Sequence, residues 1–270
     1  MKKTKIIIPA LGLLVLSTAA SVSGTVAWFS MNTEVTATGM QVKAKAQEGL
    51  VISNAADGTY NASAASVKNS CAELYPASTY NFSTWLTSVS TNPGAANTQQ
   101  AYTAATAWDF SSPSTPGYYV VHDYYIRSSS ASALTVASLD VLDVSAKLGT
   151  GNPAAQELSK ALRVGINFDG SSNKYIYAPI TGFTATVSVQ KAAGAYSSVA
   201  ADRQDVTALA GSTDSNDTTV TSIPANTANG KHVYIYVWYE GEDAACVSNN
   251  IVEELETLSI EVTFGFTAQA

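Results

Sequence analysis

LSIEVTFGFT, residues 258–267, alternates apolar with polar or small residues over its whole length. Leu258, Ile260, Val262, Phe264 and Phe266 fall on one face of an extended chain. Ser259, Glu261, Thr263, Gly265 and Thr267 fall on the other, because successive strand side chains point to opposite sides. Such a strand belongs to an antiparallel sheet with one face in the core and one in water. KHVYIYVWYE, residues 231–240, is apolar on both faces and reads as a central strand. YYVVHDYYIR, residues 118–127, is dense in β-branched and aromatic residues and reads as a third.

Between these lie further β signals. Residues 128–133 form a turn region, and Leu134–Ala146 gives one strand or a bulged pair. Asn152-Pro153 supplies a cap and a first-turn proline for a short helix reaching about Leu162. Residues 163–168, the Asp169-Gly170 turn and residues 175–178 read as a hairpin with a longer loop. Phe183–Gln190 is a further strand, and residues 191–230 a long polar loop at an edge. Together these predict an all-β chain: a jelly-roll-like β-sandwich with one short helix and long loop insertions. The sandwich spans residues 39–270, with an irregular insertion at 53–117 tied down by Trp85, Leu86, Trp108, Phe110 and Cys71.

The N-terminus has the layout of an export signal. Lys2, Lys3 and Lys5 precede an apolar run from Ile6 to Leu16, and small residues follow from Ser17 to Gly24. The apolar run is too short and too interrupted, at Pro9 and Gly12, for a comfortable membrane span. Cleavage fits after Ala20 or after Ala27; an uncleaved anchor is the alternative. Beyond it, Val35, Ala37 and Gly39 alternate in one phase, whereas Met40, Val42, Ala44 and Ala46 take the other. A one-residue slip at Gly39 marks a hinge between an extended arm, Trp28–Thr38, and the first strand of the domain. An extended arm running straight into a β-domain suits strand addition between subunits.

Composition narrows the function. The net charge is −7, and removing residues 1–27 takes away three lysines and no acid, which leaves −10. Phosphate neutralisation needs clustered Lys and Arg, so nucleic acid is set aside as a partner. In an exported chain the two cysteines, Cys71 and Cys246, are expected to form a disulfide.

Signals for chemistry are sparse. The sequence holds no HExxH and no G-x-S-x-G, and its two histidines, His122 and His232, lie in expected strands. A zinc site from both histidines and an acid requires those strands to be neighbours. Glu240, Glu242 and Asp243, near Asn249 and Asn250, offer oxygens of the type calcium takes, in a spacing that matches no defined calcium loop. The plainer reading is a solvated acidic turn fixed by Cys246, with no metal and no cofactor. Tyr118, Tyr119, Tyr124, Tyr125, Tyr234, Tyr236, Trp238 and Tyr239 suit either a sugar-stacking platform or cross-strand packing, and packing is the expectation.

GTVAWFSMNTEVTATGMQVKA, residues 24–44, resembles the start of TasA/camelysin-type proteins, secreted proteins of bacterial biofilm matrices. The matching positions are Gly24, Thr25, Ala27, Phe29, Gly39, Met40 and Val42, with weaker likeness at Asp123–Ser130 and Leu258–Phe266. The resemblance implies a jelly-roll sandwich, cleavage between Ala27 and Trp28 by signal peptidase, and assembly into extracellular fibres. It implies a donor strand on residues 28–38, whose candidate inward set is Phe29, Met31, Val35 and Ala37, with Trp28 at its start. The partners so implied are further copies of the chain, and other matrix or cell-wall components. Proteins of this type have also been classed as metallopeptidases. The expected function is thus a secreted structural protein and not an enzyme, ahead of a cell-surface adhesin or glycan-binding module and, third, a metal-dependent peptidase.

Overall fold

The computed structural model describes residues 40–66, 74–79, 82–90, 100–107, 117–148, 153–180, 182, 215–241, 243, 245–246 and 258–269. In chain order the strands are β1 (Gln41–Ala46), β2 (Leu50–Ser53), β3 (Ser63–Ala65), β4 (Leu86–Ser90), β5 (Gln100–Ala104), β6 (Tyr119–Ser128) and β7 (Leu134–Leu148). After helix α1 (Pro153–Ser159) come β8 (Leu162–Phe168), β9 (Tyr175–Tyr177), β10 (Ser215–Asp217), β11 (Ser222–Ile223), β12 (Lys231–Tyr239) and β13 (Leu258–Ala268). They make two main sheets and a small hairpin. One sheet runs β10-β7-β13-β1-β3, with β11 also on β7; the other runs β2-β6-β12-β8-β9; β4 pairs β5. The all-β sandwich expected from the alternation is what forms.

β13 shows why its pattern was so clear. Leu258, Ile260, Val262 and Phe264 are buried against the opposite sheet, while Ser259 is exposed. The ladder to β7 shifts between Thr263 and Phe264, which leaves Leu142 as an extra residue on β7. A bulge of this kind turns a side chain to the other face. A side chain at Gly265 would meet Leu142 Cδ1 at 2.5 Å, so the glycine makes room for the bulged leucine. The expected "strand or bulged pair" from Leu134 is therefore a single long bulged strand.

β12 is central, between β6 and β8, as its two apolar faces require. β1 lies between β13 and β3 and runs parallel to β13, so the first and last described strands are neighbours. Val42 and Ala44 are fully buried and Met40 nearly so, which is the inward set read from the sequence. The Tyr124 hydroxyl crosses the core to donate to the Val42 carbonyl at 2.8 Å.

Two expectations are corrected. The 53–117 insertion contains regular structure: β3 extends the first sheet, and β4 and β5 form a hairpin. The 191–230 stretch is not a plain loop either, because β10 and β11 pair with β7. Asp217, fully buried, accepts hydrogen bonds from Ser171 Oγ (2.6 Å), Asn173 Nδ2 (3.3 Å) and the Thr219 amide (3.0 Å). These bonds join the β8–β9 connection to β10. Short polar segments hold their place here through side-chain bonding rather than apolar periodicity, and so give no strand signal. The expected strand at 183–190 lies outside the described residues.

Candidate functional site

The residues assigned to strand donation, Trp28, Phe29, Met31, Val35 and Ala37, lie outside the described residues. So do the hinge Gly39 and the cleavage residue Ala27. What is described is the point where the arm joins the domain. Met40 is buried, and Gln41 pairs at once with Ser259 of β13. No helix among the described residues is long and apolar enough to cross a membrane.

The loop after β12 is not the solvated acidic turn that was expected. Glu240 and Asp243 are both fully buried. Arg163, on β8 and also fully buried, donates from Nη2 to Asp243 Oδ2 at 2.8 Å. Asp243 Oδ1 accepts the Ala245 amide at 2.9 Å. Glu240 accepts the Ser78 hydroxyl on one oxygen and the Trp238 indole N–H, at 3.4 Å, on the other. The backbone closes the cluster: the Glu240 amide donates to the Ala161 carbonyl, and the Gly241 amide to that of Ala77. Asp243 is thus paired with the Arg163 guanidinium while Glu240 is held by neutral donors, all three side chains fully buried, where breaking the ion pair costs more than the pair contributes. Of the calcium candidates, Glu242 lies outside the described residues, and the other two turn inward to protein donors.

Cys246 sits in the same cluster as a free, fully buried thiol. The expected bond to Cys71 is not seen, and Cys71 lies outside the described residues. Burial pushes the Cys246 thiol well above its usual range; the Glu240 and Asp243 carboxylates push the same way, and Arg163 opposes them. A thiol held protonated and covered is a packing group, not a nucleophile.

His122 and His232 lie on adjacent strands, β6 and β12, but on opposite faces. His122 points inward, is fully buried, and meets Ser66 Oγ through Nδ1 at 2.7 Å. His232 faces outward opposite Tyr125, with Nε2 at 3.0 Å from Asp123 Oδ1. The pleat of the sheet separates them, so the zinc pairing raised by the sequence does not form. Among the described residues, no group of three His, Cys, Asp or Glu side chains converges as a metal site.

The eight aromatics do not share a surface. Tyr124 and Tyr239 point into the core, and Trp238 is buried on the other face. Outward on β6 and β12, Tyr119 and Tyr236 are covered by Trp85 and Phe82 from the insertion. Trp85 stacks on Tyr119 at 3.7 Å, and Phe82 on Tyr236 at 4.6 Å. Tyr118, half-buried, packs on Tyr75 at 5.7 Å, and Tyr125, His232 and Tyr234 continue the row half-buried, with Tyr125 and His232 stacked on each other at 4.4 Å. Packing, not a sugar platform, explains most of the set. Trp85 ties the insertion down as expected, whereas the part of Phe82 was not legible; its mark is Gly165 in the middle of β8. A side chain there would meet Phe82 Cε1 at 2.5 Å.

No protein-family model, curated protein or solved structure matches the chain.

Proposed function

We propose that this is a secreted structural protein that polymerises outside the cell, each subunit donating residues 28–38 to the next. The reading extends the resemblance to TasA/camelysin-type matrix proteins and assigns no catalytic role. Signal peptidase frees the arm after Ala27, and further copies of the chain are the main partners, with other matrix or cell-wall components beside them. The observation that supports it best is how the chain enters the sandwich. From Met40 onward the described residues build both sheets, and β1 starts at Gln41 directly beside β13. In this reading the segment before Gly39 is the part offered to another copy. His122, the Cys246 thiol and the inward carboxylates are buried among protein partners, which suits a structural role.

The arm's energetics fit addition to a preformed edge. Burying its larger side chains, Phe29, Met31 and Val35, contributes roughly 1.5–3 kcal/mol each. Fixing its backbone costs about 1–2 kcal/mol per residue. Over eleven residues the cost exceeds the gain, so main-chain pairing with an open edge must supply the rest. Deleting Trp28–Thr38 is expected to leave a folded, soluble domain that forms no filaments under electron microscopy. Filaments of normal length from the deleted chain would falsify strand donation.

A further inference from the structure

The outward aromatic row on β6 and β12 differs in cover from one end to the other. At one end the insertion lays flat rings on it: Trp85 lies on Tyr119 within 8° of parallel, and Phe82 on Tyr236 within 19°. Toward the other end Tyr125, His232 and Tyr234 stay partly exposed, the His232 side chain at 20%. His232 meets Tyr125 at 4.4 Å and Tyr234 at 4.1 Å, so the three rings form one slab. The slab is fixed in advance, because His232 Nε2 lies 3.0 Å from Asp123 Oδ1 and each ring stands on one of two paired strands. Rings preset in this way lose little freedom when a ligand arrives.

The surroundings of the slab are polar. Neither the Tyr125 nor the Tyr234 hydroxyl has a hydrogen-bond partner among the described residues. Asn167, opposite Tyr234 on β8, spends Nδ2 on the Ser171 and Asn173 carbonyls at 3.3 and 2.8 Å, which leaves Oδ1 as an acceptor. Burial raises the two phenols, and Asp123, Asp57 and Asp169 add to it, so acids border the slab. Arg127 and Lys231 stand on the same two strands, Arg127 with its guanidinium 3.6 Å over the Tyr60 ring. With both signs present the strip suits an uncharged ligand, and the acidic chain as a whole repels a polyanion.

We propose that Tyr125, His232 and Tyr234 form a binding strip for a neutral, β-linked polysaccharide. The strip goes beyond strand donation and does not depend on it. A pyranose ring with equatorial hydroxyls is a flat body with C–H faces and a polar rim. Its faces take the place on Tyr125 and Tyr234 that Trp85 and Phe82 take on Tyr119 and Tyr236. Its rim hydroxyls meet the two phenols, Asn167 Oδ1 and the Asp123 carboxylate. Aromatic rings with a few placed polar groups beside them are the makings of a specific ligand site. The competing occupant is a lysine- or arginine-rich peptide, drawn by the aspartates and the ring faces. Arg127 and Lys231 offset two of those three acids, and Arg127 already lies on the Tyr60 face.

Isothermal titration of the processed chain with cellohexaose and with hexa-N-acetylchitohexaose tests the strip, with hexalysine and hexagalacturonate as the charged probes. Binding of at least one neutral hexamer is expected. Tyr234→Ala should weaken it about tenfold, the effect of one lost ring contact. Tyr234→Phe keeps the ring and should stay within about threefold. Circular dichroism checks that each variant is folded, and Tyr125→Ala, on the neighbouring strand, repeats the test should Tyr234→Ala not fold. Binding of a charged probe alone, no binding of either neutral hexamer, or equal binding by folded alanine variants would overturn the assignment. Failure of the chain to form filaments would sink strand donation and leave this strip standing.

Discussion

The interior between the two sheets and the cluster on the outer face of the β2-β6-β12-β8-β9 sheet are both apolar, yet they are made differently. The interior is closed mainly by aliphatic residues that recur every second position: Val233, Ile235 and Val237 on β12, Val164 and Ile166 on β8, Ile260 and Val262 on β13. The outer cluster is aromatic and is assembled from distant parts of the chain. Phe82 and Trp85 come from the insertion, Trp238 from β12 and Ile176 from β9, with Tyr119 and Tyr236 beneath. The interior follows from strand periodicity; the outer cluster needs an irregular segment to fold back and be held there. Its turn is fixed by Thr79, which accepts the Phe82 amide at 3.1 Å, and by the Trp85 indole, which donates to the Phe82 carbonyl at 3.0 Å. Phe82 itself sits at φ 56°, a left-handed conformation that bulky residues rarely adopt.

Cutting into each cluster separately should reveal that difference. Phe264 is fully buried in the interior and meets Phe168 edge-on at 5.9 Å. Phe264→Ala is expected to cost about 3–5 kcal/mol, as large-to-small changes of buried aromatics do. Chemical denaturation should show it as a lower midpoint of the whole transition with an unchanged slope. A transition that splits into two steps would mean that the sheets do not unfold together.

The same contrast decides what could be read from the sequence. β13, β12 and β6 were legible because each alternation places a complete apolar face, and the central position of β12 followed from its second apolar face. β10 and β11 were not, since three- and two-residue strands carry no period and are held through Asp217 and the ladder to β7. The buried carboxylates of Glu240 and Asp243 were misread as part of a solvated turn for a related reason. Charged residues in a loop look exposed until distant partners are brought alongside, here Arg163, 80 residues from Asp243, and Ser78, 162 residues from Glu240. Gly165 was the one local sign that something packs against the outer face of β8.

Gly165 is therefore where the outer cluster can be disturbed alone. A methyl group at this position would meet Phe82 Cε1 at 2.5 Å, Phe82 Cζ at 2.6 Å and Trp238 Cζ3 at 3.1 Å. Trp238 is enclosed in the cluster, so the Phe82 ring must give way. Overpacking of this sort costs about 1–3 kcal/mol. Gly165→Ala is expected to change tryptophan fluorescence through Trp85 and Trp238 and to open the 74–107 segment to proteolysis. The unfolding midpoint should fall less than for Phe264→Ala. An equal fall would show that the outer cluster is part of the interior's cooperative unit.

Alkaline titration should separate the two clusters by the smallest margin. Burial raises the Tyr236 phenol to about 12, with Tyr234, Tyr119 and Asp123 adding to the shift. Burial also raises Tyr124, in the interior, beyond that range. In the unfolded chain both phenols titrate near 10. Above that pH the unfolded chain loses protons that the native fold retains, so stability falls as pH rises. For Tyr236 the contribution is intact below about pH 10 and is lost between about 10 and 12, where its own phenol ionises in place. Tyr124 continues to oppose ionisation at higher pH. Burial also raises Tyr125 and Tyr234, which face outward in the half-buried row, and tyrosinate absorbance should rise for them before it does for Tyr236. The Tyr236 signal should follow, accompanied by a fluorescence change at Trp85, before the sandwich loses its β-sheet circular dichroism. Replacing Tyr236 by Phe should remove the intermediate step and leave the later one. Loss of both signals at a single pH, unchanged by Tyr236→Phe, would show that the outer cluster has no alkaline transition of its own.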